Sequence, residues 1–552
     1  MSARWFWPAA LGFTVAGALL RLKGIHDPIF DHPGWRQGDT AAIARNFAQL
    51  QFNILFPQTD YDGPPPNYVE LELQIVPFLA ATLYKLFGVH EVFGRLISLA
   101  FGVATIPLIA AFGRWLFCSA AAGVAAAAAF AVLPGAWYYS HTFMPDTAMV
   151  FFATAAAFAC AHFIVELAED RVAFMRTETV TCAVVREPKT GREAWRGWWP
   201  AALLLAVAFL AKPVAVVIAV PVAVCAAVAL GPRRALRTPQ LWALGAVALV
   251  PLVLYDAFVS AHAEWHWASG ITKLHVIPSL EAAFTSPAAF GAKALAFGHA
   301  LKLLATTMVG PLGIALAVLG FCVPLRSRSD GLLWGWLGGG LAYAYVVVTV
   351  ERVDYYLYVL LPLAALAIGR LCAFAAERWS TSGERAATLA GIGALVWLAA
   401  AFTGYREIAP YYVWSRDNYV RAKQLDATLA PGALVVMGHY DPSILYTIDR
   451  KGWEEDPHLW TPFDEQSAIR KGARYFIAVE NARLKQTNLE LYCWLSRFPV
   501  LDPAAKWPVY ETDPAKVLSG AEDRWRSFRR REMAGAFAGW RQEWRSAPDP
   551  CR

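Results

Sequence analysis

Gln74-Ile-Val-Pro77-Phe-Leu-Ala-Ala-Thr-Leu-Tyr-Lys85-Leu-Phe87 is apolar, yet shorter than the roughly 18–20 residues needed to cross a bilayer, and it carries a glutamine, a proline and a lysine. Whether it spans decides the side on which every later loop lies. The other apolar runs are 5–23, 93–116, 119–137, 147–166, 197–211, 213–231, 240–259, 301–324, 331–349, 355–375 and 386–404. If 74–87 is left out and the N-terminus is cytoplasmic, the basic turns Arg233-Arg234…Arg237, Arg326…Arg328 and Arg370…Arg378…Arg385 fall inside, together with the charged 167–196 loop. The segments 24–92, 138–146, 260–300 and 350–354 then lie outside and hold few Lys or Arg for their length. If 74–87 spanned, all of these would flip against the positive-inside rule. An N-out variant restores the turns but strands Asp39 across the membrane from Asp146. The segment is therefore read as a juxtamembrane helix in the outer interface, and the topology as eleven spans. Arg21 and Lys23, at the outer end of the first span, count against this scheme.

The composition agrees with a polytopic α-helical membrane protein. The 552 residues are 57% hydrophobic and 17% charged, with a mean hydropathy of +0.38. The apolar run from Trp5 to Leu22 has no small-residue cleavage site and reads as a signal anchor. The net charge of +6 is unremarkable, because basic residues in such proteins mostly mark cytoplasmic loops, and it gives no support for a nucleic-acid partner.

The chain divides at about residue 404 into a membrane part, 1–404, and a tail, 405–552, that lies outside. The tail reads as a small α/β domain. Gly432-Ala-Leu-Val-Val-Met437 is strand-like, Asp441-Pro-Ser starts a helix, and Glu465-Gln-Ser-Ala-Ile-Arg-Lys-Gly feeds a second strand, Arg474-Tyr-Phe-Ile-Ala-Val479. Cys493 and Cys551 are placed to pair if this region is extracytoplasmic. The 167–196 insert, with Pro188-Lys-Thr-Gly191 between β-branched runs, reads as a cytoplasmic hairpin.

Three acidic motifs converge on the outer face. They are His32-Pro-Gly-Trp35-Arg36-Gln-Gly-Asp39, Glu70-Leu-Glu72 and Phe143-Met-Pro-Asp146-Thr. Carboxylates there suit deprotonation of a hydroxyl nucleophile, a divalent cation, or a sugar held by its hydroxyls. Each has a plainer reading. Asp39 pairs with Arg36 or Arg45, Glu72 solvates the juxtamembrane helix, or Asp146 caps the following span. Lys212, beside Pro213 at the outer end of two short spans, is a phosphate ligand or a snorkelling side chain. Tyr355 and Tyr356 are hydroxyl donors or part of an interfacial aromatic belt. Glu264-Trp-His-Trp267 stacks on a sugar or anchors at the interface.

These motifs together resemble the GT-C membrane glycosyltransferases of the bacterial protein-mannosyltransferase and aminoarabinose-transferase group. The resemblance is carried by Trp35-Arg-Gln-Gly-Asp39-Thr-Ala-Ala-Ile-Ala-Arg45-Asn-Phe47, Glu72 to Pro77, Leu86-Phe-Gly88, Arg95-Leu96, His141-Thr-Phe-Met-Pro-Asp146, Leu210-Ala-Lys212-Pro213 and Asp354-Tyr-Tyr356…Leu361-Pro362. It implies a sugar donor on polyprenyl phosphate, an acceptor that is a periplasmic glycan, lipid or protein, and a bacterial inner-membrane location with the active site on the periplasmic side. The catalytic set becomes Asp39, Glu72 and Asp146. Trp35, Arg36, Arg45, His141, Lys212, Lys273, Asp354, Tyr355 and Tyr356 bind substrate, with Arg352 a further cation. A divalent cation is left open. Where the aminoarabinose branch has a paired Asp-Glu and an acidic-Lys-Pro-Pro run, this chain has Arg36-Gln37 and Glu72-Leu-Gln. The base accordingly moves to Asp39, and the donor and its phosphate ligands stay open. The competing classes are a transporter or flippase, which places paired charges near the midplane, and a non-enzymatic assembly scaffold.

Overall fold

The structure is a computed structural model and describes residues 3–168, 195, 197–325, 329–379, 383–535 and 551. The expected hairpin in 167–196 and the turn at Arg326 and Arg328 fall mainly outside these residues. Two compact units emerge: Met1–His26, Asn53–Leu55 and Glu70–Tyr412 form the first, and Asp27–Phe52, Phe56–Val69 and Val413–Arg552 the second. The boundary expected at 404/405 thus differs from the packing, which groups most of the first loop with the tail.

The first unit is helical. Among the described residues eight helices are long and apolar enough to cross a membrane, and five shorter apolar helices accompany them. The long ones include Glu91–Phe117, Asp146–Leu167, Pro213–Leu230, Pro239–His262, Asp330–Glu351 and Asp354–Trp379. The runs expected at 5–23, 119–137 and 197–211 appear as the shorter helices Phe6–Arg21, Ala120–Val132 and Trp198–Ala211. The alanine-rich helix Ala120–Val132 packs against Glu91–Phe117 and Leu361–Trp379. Small side chains set that approach: a Cβ on Gly369 would come within 2.7 Å of the Ala122 carbonyl. In lipid such close backbone packing replaces the hydrophobic drive available in water.

One expectation is corrected. The 260–300 segment was read as a loop and 301–324 as a span. Instead Pro287–Met308 is a helix long enough to span, and Pro311–Cys322 is a separate short one. The chain breaks at Gly310, whose φ of +83° suits glycine. Lys293, His299 and Lys302 lowered the apparent hydropathy of this helix. Lys293 is satisfied internally, since its Nζ donates to Ser279 Oγ at 3.0 Å and Thr349 Oγ1 at 2.9 Å. The two cations that broke the positive-inside pattern are likewise engaged. Arg21 is fully buried and donates to the carbonyls of Gly17, Ala131 and Phe130, two of them at the end of Ala120–Val132. Lys23 donates to the Tyr405 hydroxyl and lies 4.6 Å from the Tyr412 ring centre.

The 74–87 segment forms the helix Ile75–Phe87. Val76, Pro77, Ala80, Ala81 and Tyr84 are buried, while Leu79, Leu86 and Phe87 are exposed. That leaves one apolar face open.

The second unit holds a five-stranded sheet of order β2-β1-β3-β5-β4. β1 is Leu434–Met437, β2 Lys451–Glu454, β3 Ala473–Ile477, β4 Val500–Leu501 and β5 Val509–Glu511. β1 runs parallel to β2 and β3, while β5 is antiparallel to β3 and β4. The two strands expected from sequence are β1 and β3. Asp441 caps the helix Pro442–Thr447 by accepting from the Ser443 amide at 2.9 Å, and Thr461 and Asp464 form a capping box on Pro462–Arg470. Cys493 and Cys551 are disulfide-bonded. Gly34–Gln49 packs on Pro442–Thr447 and is buried from Arg36 to Phe47.

Candidate active site

In the first unit the Pro145-Asp-Thr turn starts the helix Asp146–Leu167, and Lys212 ends Trp198–Ala211 in an extended conformation. These two helices pack along their length. Lys212 Nζ donates to Asp146 Oδ1 at 2.7 Å, with both side chains buried. The ammonium lies 5.0 Å from the ring centre of Tyr355 and 4.8 Å from that of Tyr356. Such a pair is costly to desolvate and is kept by its mutual attraction and by the ring faces. An ammonium has three donors, so the Asp146 contact leaves the group able to bind an anion as well.

Asp354 begins the turn that carries both tyrosines. It accepts from Tyr139 at 2.5 Å, Tyr411 at 2.6 Å and Thr307 at 3.2 Å. This ties the turn to three other segments and identifies Asp354 as its anchor. His141 stacks on Tyr412 at 5.2 Å and meets Tyr138 edge-on at 4.9 Å. Glu72 is buried, and its carbonyl accepts from Tyr255 at 3.2 Å. Its neighbour Glu70 accepts from Ser260 at 2.6 Å and from the Ser269 hydroxyl at 2.8 Å, with His266 Nδ1 3.5 Å away. Lys273 is exposed, and Arg352 adopts a left-handed conformation at φ +55°.

The second unit holds Trp35, Arg36, Asp39 and Arg45 on one helix. Tyr61 donates to Asp39 Oδ1 at 2.8 Å, and Arg36 lies 3.9 Å from Oδ2. Burial first, then Asp39 and Glu454, push the Tyr61 hydroxyl well above its ordinary range, so it stays a donor. Arg45 is spent on structure: it pairs with Asp60 and, at 2.6 Å, with Asp449, and donates to the Tyr446 carbonyl. Asp60 also accepts from Lys451 at 2.7 Å and Asn46 at 2.9 Å. Burial would raise the Asp60 carboxyl, but Arg45 and Lys451 hold it below the ordinary range. Asp31, on the same loop, accepts from Gln37 at 2.8 Å. Trp35 is half exposed at the start of the helix.

No family model and no curated protein matches the chain. Solved structures do. The crystal structure of ArnT from Cupriavidus metallidurans bound to undecaprenyl phosphate aligns with a TM-score of 0.61 at 12% identity, covering 94% of this chain and 100% of that one. The Archaeoglobus fulgidus oligosaccharyltransferase, tethered with an acceptor peptide containing the NVT sequon, aligns at 0.55 and 11% identity, covering 94% of this chain and 76% of that one. The chain has the GT-C fold. The resemblance drawn from the motifs is borne out at that level.

On this GT-C scaffold, Asp146, Lys212, Tyr355 and Tyr356 form one cluster, and Asp39 and Arg36 belong to another in the second unit. Sequence reading missed Asp60, Tyr61, Tyr411 and Glu454. The Asp60-Tyr-Asp62-Gly63 turn was a usable signal, because acids clustered in a short loop need partners elsewhere, as Asp60 finds in Arg45 and Lys451. Among the described residues no group of three or more His, Cys, Asp or Glu side chains is arranged to hold a metal ion.

Proposed function

We propose that the chain is an integral-membrane glycosyltransferase that moves a sugar from a polyprenyl-phosphate donor to a hydroxyl or phosphate of a glycan, lipid or protein. By the charge distribution of its turns it works on the periplasmic side of a bacterial inner membrane. The observation that carries this reading is the fold, shared over 94% of the chain with a structure that holds undecaprenyl phosphate. The buried Asp146–Lys212 pair over two tyrosine rings supports it, because a leaving phosphate needs a fixed cation and hydroxyl donors.

In this reading Asp39 takes the proton from the acceptor hydroxyl as its oxygen attacks the anomeric carbon. The bond from that carbon to the phosphate oxygen breaks, and the phosphate departs with the electron pair. Lys212 and the tyrosine hydroxyls stabilise the charge that grows on it. Asp146 orients Lys212, Asp354 holds the tyrosine turn, and Glu72 holds sugar or acceptor hydroxyls. Arg45 braces the Asp39 helix through Asp60.

The test uses the purified chain in vesicles with membrane-extracted polyprenyl-phosphate sugars and a soluble acceptor. Sugar transfer is the expected result. Movement of the lipid between leaflets without transfer would overturn the reading in favour of a flippase.

A further inference from the structure

Glu70 and Glu72 belong to the short stretch 70–74, which is neither helix nor strand. Its main chain is fastened at both ends. The Glu70 amide donates to the Trp265 carbonyl at 2.9 Å, and the Leu73 amide donates to the Leu210 carbonyl at 2.9 Å. Leu210 lies one turn or less before Lys212 on the helix Trp198–Ala211. Between these ties the Glu72 carbonyl accepts from the Tyr255 hydroxyl at 3.2 Å and from Gln74 Nε2 at 2.9 Å. The stretch thus bridges the loop that follows Pro239–His262 and the end of the helix that presents Lys212.

The Glu70 side chain closes this bridge. It is 1% exposed, and both of its oxygens are taken. Oε1 accepts from Ser260 in the helix Pro239–His262 at 2.6 Å. Oε2 accepts from the Ser269 amide at 3.2 Å and from the Ser269 hydroxyl at 2.8 Å. The Ala268 amide completes the clasp by donating to the Glu70 carbonyl at 3.4 Å. Ser269 directly follows the Glu264-Trp-His-Trp267 cluster, so the clasp also pins the loop that carries it. A carboxylate buried in this way has its hydrogen bonds inside the protein and cannot reach a substrate. Glu72, two positions on, is the acid that the clasp holds in place.

We propose that Glu70 is a positioning residue that sets Glu72 against the Lys212 end of the site. The proposal rests on the reading that Glu72 holds sugar or acceptor hydroxyls. Glu70 acts through hydrogen-bond acceptance rather than through its charge. A carboxamide in its place offers an oxygen to Ser269 and an N–H to the Ser260 hydroxyl, which can turn to accept it.

The experiment uses the full chain in vesicles, with the donor and acceptor of the transfer assay. Glu70→Ala should lower kcat/KM by about ten-fold or more, because a misplaced binding group costs that much without touching the chemistry. Glu70→Gln should recover most of the loss. In a Glu72→Gln background Glu70→Ala should cost little further, since the group it places is already gone. Hydrogen exchange gives a measure that needs no turnover: the Leu73 and Ser269 amides should exchange about ten-fold faster in Glu70→Ala. Three outcomes would each overturn the proposal. They are Glu70→Gln as poor as Glu70→Ala, a full loss carried into the Glu72→Gln background, and unchanged exchange at Leu73. If Glu70→Ala does not fold, Ser260→Ala with Ser269→Ala removes the hydroxyl donors and keeps the acid, and the same non-additivity with Glu72→Gln is required of it. If Glu72→Gln alone transfers normally, the role given to Glu72 falls, while exchange at Leu73 still decides whether Glu70 holds the stretch.

Discussion

Lys212 and Asp146 lie 2.7 Å apart with both side chains buried, so neither is replaceable alone. Lys212→Met removes the proposed phosphate cation and leaves Asp146 an uncompensated charge. Breaking such a pair costs about 3–5 kcal/mol, whereas removing both partners costs far less. The expected outcome is that Lys212→Met loses transfer about ten-fold or more and lowers the melting temperature, and that adding Asp146→Asn restores the melting temperature but not transfer. Recovery of both would reduce Lys212 to a structural partner. At Asp39 the measurement is purely chemical. Asp39→Asn keeps shape and the Tyr61 hydrogen bond but removes basicity, and a positioned base contributes on the order of 10²–10⁴ in rate. Transfer within a few-fold of wild type would exclude it, and Glu72→Gln and Asp31→Asn would then be the variants to measure.

At the scale of elements, what sequence revealed depended on whether the signal was local. The helix Ile75–Phe87, strands β1 and β3 and the caps at Asp441 and Thr461 each announce themselves within a few residues, through apolar runs or a capping pattern. The helix Pro287–Met308 did not, because Lys293 and Lys302 lower its apparent hydropathy, and the hydroxyls of Ser279 and Thr349 that accept from Lys293 come from other segments. The strands β2, β4 and β5 are 2 to 4 residues long and gain their identity only from pairing. Asp39 stood out as part of a local motif, whereas Tyr61, which donates to it, belongs to a separate loop and was not singled out. Glu465 supplies an element-scale prediction. Burial pushes its carboxyl up to about 8, against the pull of the hydrogen bond from Trp460 at 2.9 Å. The folded state then holds a proton that the unfolded chain has released, so stability falls as pH rises from about 4.5 through 8. Glu465→Gln keeps an acceptor for Trp460 and should melt higher than wild type near pH 9, with little difference near pH 4. Equal shifts at both pH values would show that the side chain ionises freely.

For the whole molecule, the proposed orientation is argued from charge rather than from packing. The short helix Pro232–Arg237 has three arginines and no buried residue. Arg21 and Lys23, by contrast, are consumed by carbonyls and aromatic rings, so they no longer weigh against the positive-inside assignment. Single cysteines at exposed positions test it, on a background that keeps only Cys493 and Cys551. Asn67 and Lys451 are buried or paired and would perturb the fold, whereas Pro64 and Ala504 are open. A membrane-impermeant maleimide should label Pro64→Cys and Ala504→Cys in intact cells and Arg233→Cys only after lysis. Protection of the first two with labelling of the third would invert the chain and put the proposed chemistry on the cytoplasmic side. A split result for Pro64 and Ala504 would break the second unit apart, since the first loop and the tail could not then pack together.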